Sequence, residues 1–446
     1  MEKIKQPSVA GKFYTNNKNE LVSQLNQFKS NCMGDYKYQS RAVIVPHAGY
    51  VYSGQLAYEG ISCISKTAKN IFIFAPSHYV GFDGLALSSF DKWLTPLGEI
   101  SVNQEINKEI KEKFSAEFFD EAFVSEHSAE VQVPFIQTLL NDVNIVPILI
   151  GRENCEKVSE IVEYFWQKPD NAFVFSSDLS HFLNIKDAQK IDNLTAEMIE
   201  TKDIEQFNSS QACGAVGICA LVRFAQRNGF SLVRIGLTNS GEVTGDTSSV
   251  VGYGSWMLYE GEKNSFIKEF FSPIIKDICA KSILARLKKQ KEVRFKYPKV
   301  LDEKGACFVT LEKGDNLRGC IGSIIAHKPL IEDLISNAQN AAFSDPRFNP
   351  LREDEFDNLS IAVSLLSTPE KMFFKNENDL LSQIKPFVDG IIIKDGYHQA
   401  VYLPSVWEQL PEKSDFLNSL KVKAGLSANY FSNKFEAYRF YSEYIK

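Results

Sequence analysis

Four of the six histidines in this 446-residue chain fall within its first 181 residues, at His47, His78, His127 and His181. A neutral imidazole binds iron, zinc and copper alike, and the same ring titrates near neutrality. Two of these residues follow short apolar runs closed by proline. Arg41 to Tyr50 reads R-A-V-I-V-P-H-A-G-Y, and Asn70 to Tyr79 reads N-I-F-I-F-A-P-S-H-Y. A third run, Ala172 to Phe182, passes into Asp178 and His181. His47 and His78 are therefore candidate metal ligands at neighbouring strand ends. His127 and His181 are candidates to carry a proton to or from a bound hydroxyl. Asp178 lies three residues before His181, where it could orient an imidazole or a metal-bound water. Tyr50 is a candidate lining residue of the same cleft. Glu126 and Ser128 read as ordinary helix-start residues, a carboxylate favoured by the helix dipole and an N-cap.

The elements that must position these residues are legible as well. Apolar runs of four or five residues bounded by turn signals predict strands buried on both faces. In open α/β sheets, ligands bind beyond the carboxyl ends of such strands, so three runs with the same plan predict one shared site. Between them, Ala48 to Gly54 is expected to be a Gly-containing loop and Gln55 to Ser62 a helix. Asn103 to Phe114, Ala129 to Leu140 and Ala215 to Gln226 also read as helices. The alternation predicts a layered α/β domain with a mainly parallel central sheet over residues 1–260. A polar stretch at 261–265 is the expected linker. Residues 266–446 change character. A long helix, Phe266 to Gln290 with a break near Pro273, leads into short strands separated by Gly-containing turns at Lys313–Asn316 and Lys394–Gly396. That pattern predicts hairpins and an α+β domain. Within it, Leu317 to Gly322 reads L-R-G-C-I-G. Arg318 could hold an anion, Cys320 could be a nucleophile, and Gly319 and Gly322 would allow close backbone approach or positive φ.

Bulk composition narrows the class. The chain is 44% hydrophobic and 24% charged, as in ordinary globular proteins. Its net charge of −7 argues against general nucleic-acid binding, where a basic face is expected. No apolar stretch is long enough to span a membrane, and the N-terminus has no apolar signal segment. The eight cysteines contain no C-x-x-C pair, so free thiols in a cytoplasmic setting are expected rather than a disulfide framework or a structural zinc site. No oligomeric state follows from the sequence.

The order of motifs in the first half resembles the Memo family. The matching stretches are Pro7–Tyr14 (P-S-V-A-G-K-F-Y), Pro46–Gly54 (P-H-A-G-Y-V-Y-S-G), Pro76–Tyr79 (P-S-H-Y), Thr95–Gly98 (T-P-L-G), Glu126–Phe135 (E-H-S-A-E-V-Q-V-P-F), Ser176–Phe182 (S-S-D-L-S-H-F), Ala212–Gly214 (A-C-G) and Gly245–Tyr253 (G-D-T-S-S-V-V-G-Y). The resemblance implies the fold of class III extradiol dioxygenases, which use non-haem iron. It also implies Cys213 as the third metal ligand, where the dioxygenases use a carboxylate. Ferrous iron is then the first expectation, with copper or zinc as alternatives because a thiolate favours softer ions. The second half resembles the AMMECR family through Leu317–Gly322, Ala341–Leu351 (A-A-F-S-D-P-R-F-N-P-L), Tyr402–Trp407 (Y-L-P-S-V-W) and Phe416–Leu426 (F-L-N-S-L-K-V-K-A-G-L). Both families occur beside a radical-SAM protein in the AmmeMemoRadiSam set, which implies such a partner. The expected function is a metal-dependent oxidoreductase-type enzyme acting on a small, phenolic molecule. The rival expectation, from another class, is a non-catalytic scaffold whose cleft recognises a peptide or a partner protein.

Overall fold

A computed structural model describes residues 2–32, 38–290 and 294–446. The chain divides into two compact units, residues 1–263 with 298–300, and residues 264–297 with 301–446. Only Glu260 to Glu262 of the join is irregular; the helix Lys263–Leu287 begins at once and runs through Pro273 without the expected break. No helix among the described residues is long and apolar enough to cross a membrane.

Four parallel strands form the centre of the first unit, in the spatial order Ala42–Val45, Asn171–Ser176, Asn70–Pro76 and Asn144–Ile150. Every residue of Ala42–Val45 and Asn171–Ser176 is buried, as expected of strands covered on both faces. The sheet as a whole is mixed rather than mainly parallel. Val250–Tyr259 pairs antiparallel with Ala42–Val45, and Ser231–Asn239 and His181–Leu183 pair antiparallel with Val250–Tyr259. At the other side Leu85–Leu87 runs antiparallel to Asn144–Ile150. These flanking strands arrive by hairpins and long excursions, and outside the centre the one parallel strand pair of this sheet among the described residues is Leu85–Leu87 with Glu117–Phe118.

Side-chain alternation divides the two faces. Ala42, Ile44, Phe72, Phe74, Phe173 and Phe175 share one apolar cluster with helices Cys155–Trp166 and Ala215–Asn228. Phe74 stacks on Phe175 with ring centroids 5.1 Å apart. Val45 points the other way, toward the helix Tyr50–Ser62, where a Cβ on Gly60 would lie 2.4 Å from it. That helix begins directly after Gly49, so the expected loop over Ala48–Gly54 is mostly helical. Gly54 is a packing residue there: a Cβ would sit 2.7 Å from the ring of Phe28 in the helix Lys18–Asn31. A glycine read from sequence as a loop signal marks a close helix–helix crossing instead.

The second unit is α+β with antiparallel sheets. One contains the strands Lys304–Lys313, Asn316–Gly322, Leu359–Leu366 and Ser442–Ile445, and the other Glu370–Met372, Gly390–Asp395, His398–Tyr402 and Glu436–Phe440. Both predicted hairpins are present. Gly314 (φ +60°) and Gly396 (φ +58°) supply the positive φ that these two-residue turns need. Gly319 serves close approach, since a Cβ would lie 2.1 Å from the Ala341 carbonyl oxygen in the helix Leu330–Phe343.

Candidate metal centre

The register of the parallel strands levels the functional residues. Val45 pairs with Ser176, so His47 and Asp178, each two residues further on, stand side by side. The His47 N–H donates to Asp178 Oδ1 at 2.8 Å. His78 follows Pro76 on the next strand along.

A single segment, Glu126 to Gln132, laces these strand ends together. Ser128 Oγ donates to the Pro76 carbonyl at 2.7 Å, so Ser128 is not the expected helix cap. Gln132 Nε2 donates to the Pro46 carbonyl and to Ser176 Oγ, both at 2.9 Å. Glu130 anchors the N-terminal lead-in: its carboxylate, 1% exposed, accepts from Lys5 Nζ at 2.7 Å, from the N–H groups of Ser8 and Val9, and from Tyr14 Oη. Burial raises the Glu130 pKa, but the charge and hydrogen bond of Lys5, together with the Ser8 and Val9 N–H groups, outweigh this and hold it low. The motif from Pro7 to Tyr14 is thus folded around a buried carboxylate.

Three imidazoles converge at these strand ends. Ligand atoms of His47, His78 and His127 all lie within 4.8 Å of one another. Hydrogen bonding dictates the tautomers of two of them. His78 Nδ1 lies 2.9 Å from Glu126 Oε1, and a carboxylate only accepts, so Nδ1 carries the proton and Nε2 keeps a lone pair. His47 Nδ1 lies 2.9 Å from Ser176 Oγ, whose own proton goes to the Ser128 carbonyl at 2.6 Å. Ser176 therefore accepts from His47, and His47 Nε2 is also left with a lone pair. Burial, then the neighbouring His127 and His78, push the His47 pKa well below its usual value, which keeps the ring neutral. His127 packs against His78 at 4.7 Å and against Phe13 at 4.5 Å between ring centroids. Its Nδ1 is buried and 3.2 Å from Glu126 Oε1, but makes no hydrogen bond. Two rings whose Nδ1 atoms are held by hydrogen bonds, leaving Nε2 to face the cluster, and one orphaned buried nitrogen fit a metal site.

Glu126, read from sequence as a helix-start carboxylate, is the orienting group. It is 2% exposed and accepts from the backbone N–H and ring of His78 and from the N–H groups of His127 and Ser128. Burial raises its pKa, yet the adjoining His127 ring and the hydrogen bonds from His78 prevail and keep it well below the usual carboxylate range. By residue type and position alone it reads as a common N-terminal acid.

The other candidates take different settings. Cys213 Sγ lies 3.2 Å from His47 Nε2, on the lone pair a metal would use, but it is outside the three-histidine set. Burial and then Asp178 raise its pKa to about 12. Asp178 is raised to about 6 by burial, against the His47 N–H that favours its charged form. His181 Nδ1 donates to the Leu179 carbonyl at 2.8 Å, which leaves its Nε2 lone pair free. Tyr50 is a core residue, 2% exposed, stacked on Phe135 at 4.4 Å and donating to the Val131 carbonyl at 2.7 Å. A cavity of about 320 Å³ extends from Ser176 and Cys213 to Phe82, Ile150, Arg152 and Val216. In the second unit, Arg318 is engaged by Glu355 in a two-pronged pair at 3.0 and 3.2 Å, and Cys320 lines a separate cavity.

A mixed sheet with a parallel centre and imidazoles gathered at its carboxyl edge defines an α/β domain whose three clustered histidines could hold a metal ion. Residues 5–257 match the family described as Memo-like protein, and the chain belongs to that family. Residues 276–445 match the AMMECR1 family, so the chain joins the two. It is 34% identical over 265 residues to the MEMO1 family protein Ta0237 of Thermoplasma acidophilum, covering 56% of this chain and 97% of that one. It is 36% identical over 275 residues to a MEMO1 family protein of Nitrosopumilus maritimus, covering 56% and 98%. A solved structure, the uncharacterized protein PH0010 from Pyrococcus horikoshii, aligns with 32% identity and a TM-score of 0.36, over 38% of this chain and 88% of that one.

Proposed function

We propose that this chain is a metal-dependent oxidoreductase-type enzyme of the non-haem iron class, acting on a small phenolic molecule. The observation that carries the proposal is the convergence of His47, His78 and His127 within 4.8 Å, with Glu126 and Ser176 fixing the tautomers of His78 and His47. These three would hold the metal, and Cys213 is the additional donor beside His47. A bound ferrous ion would supply Lewis acidity that lowers the pKa of a coordinated hydroxyl.

The chain's own residues supply the rest. His181 Nε2 accepts the proton released by a phenolic hydroxyl, while its Nδ1–H stays on Leu179. Asp178 keeps the His47 backbone in place. The cavity beside Cys213 offers Phe82, Ile150 and Val216 to an aromatic ring, with Arg152 among its polar lining. We further propose a radical-SAM protein as the working partner, an idea that rests on the joining of the Memo-like and AMMECR1 domains in one chain.

The test is calorimetric titration of catechol and 4-methylcatechol into the iron-loaded chain without oxygen, followed by oxygen uptake in an electrode. Binding that requires iron, with oxygen consumed in step with catechol loss, supports the reading. Absence of binding to the loaded protein contradicts it.

A further inference from the structure

The second unit holds a cavity of about 420 Å³ that the metal chemistry does not use. Its walls include the apolar side chains of Phe308, Ile321, Leu403 and Val406. Its polar groups include the Cys320 thiol and two cations, Arg347 and Lys423. Among its described lining residues, Asp345 is the one acid, and that carboxylate is saturated. It is 3% exposed and accepts from the Cys320 and Arg347 N–H groups and from Arg347 Nε and Nη2. Asp345 therefore serves to aim Arg347, whose Nη2 also reaches the Cys320 carbonyl at 3.2 Å. Lys423 Nζ donates once, to the Val401 carbonyl at 3.0 Å, and lies 4.8 Å from the centre of the Tyr402 ring. An ammonium has three donors, so two remain for a ligand. Cys320 is partly buried, and its sulfur accepts from Thr310 Oγ1 at 3.3 Å.

We propose that this cavity binds a small organic anion, a carboxylate with an apolar body. Lys423 and Arg347 hold the anionic head beside the Cys320 thiol, and the apolar body lies against Phe308, Ile321, Leu403 and Val406. The residue types sort the ligand. A bare inorganic anion leaves the apolar walls uncovered, and a neutral molecule leaves the Lys423 donors unmatched.

The experiment uses the full chain and two nearly isosteric alkylating probes, iodoacetate and iodoacetamide, with labelling at Cys320 followed by peptide mass spectrometry. In both reactions the Cys320 thiolate attacks the methylene carbon. A carbon–sulfur bond forms, the carbon–iodine bond breaks, iodide leaves with the electron pair, and the thiol proton passes to solvent. The two reagents differ in charge alone at the recognition end. The iodoacetate-to-iodoacetamide rate ratio at Cys320 should exceed that of free N-acetylcysteine amide by about threefold or more, because a fixed cation attracts the anionic reagent. The excess should vanish in Lys423→Met and return in Lys423→Arg. Benzoate should protect Cys320 at concentrations where inorganic phosphate does not. A ratio equal to that of the free thiol, a ratio unchanged in Lys423→Met, protection by phosphate but not benzoate, or no labelling by either reagent would each overturn the proposal.

Discussion

Glu126 accepts both the backbone N–H and the ring Nδ1–H of His78, at 2.5 and 2.9 Å. One carboxylate thereby sets where the His78 ring sits and which of its nitrogens is free. A glutamine could keep one acceptor but would turn its NH₂ toward an N–H group. Glu126→Gln is expected to weaken metal binding by about 10–100-fold, the usual cost of losing an orienting partner. Competition with a chromophoric chelator measures this. Unchanged affinity with a native circular dichroism spectrum would show that His78 needs no orientation.

The Lys5–Glu130 pair is buried on both sides, at 4% and 1% side-chain exposure. Glu130→Ala leaves Lys5 uncompensated and should destabilise the first unit by roughly 3–5 kcal/mol, read from its urea midpoint. The pH dependence has a defined sign. The folded-state pKa of Glu130 lies below its usual value of 4.5. Its contribution is therefore full above that value and is lost as the pH falls through the lower, folded-state pKa. The acid-side drop in melting temperature should be shallower in Glu130→Gln than in the parent chain. Parallel curves would remove Glu130 from the acid transition.

Gly319 is expected to tolerate no side chain, although its φ is not positive. Gly319→Ala places a methyl 2.1 Å from the Ala341 carbonyl oxygen. The strand and helix must separate, at a cost of about 1–3 kcal/mol. Thermal unfolding of the second unit measures it, and a melting temperature unchanged from the parent would show that the strand and helix are free to part.

These residues show what the sequence exposes. The strand ends at Val45, Pro76 and Ser176 were legible because each apolar run stops abruptly, and His47 and His78 stand just beyond two of those stops. Both hairpin turns were legible because Gly314 and Gly396 supply a φ that other residues avoid. Glu126, Ser128 and Gln132 were not, because the strand-end partners of each lie 44 residues or more away in the chain. Gly54 misled because a close helix crossing and a loop both call for glycine. The same limit applies to the third histidine of the cluster. Strand punctuation could not place His127, whose position comes from the Glu126–Gln132 segment folding back over three strand ends.

His181 is expected to act on a proton and not on the metal. It lies outside the three-histidine set, with Nδ1 held by Leu179. His181→Gln should keep its full metal content while catechol turnover drops by about 10²–10⁴-fold. Metal loss in this variant would make His181 a ligand.

The most direct test of the whole account is metal analysis of the chain purified without oxygen, by inductively coupled plasma mass spectrometry. The parent chain should carry about one iron per chain, the single ion that three histidines and an open position can hold. His47→Ala, His78→Ala and His127→Ala should each lose it while keeping native circular dichroism, and Cys213→Ser should lose less than His127→Ala. A correctly folded parent chain that takes up no metal, even after incubation with ferrous iron, or a His127→Ala variant with full occupancy, would contradict it.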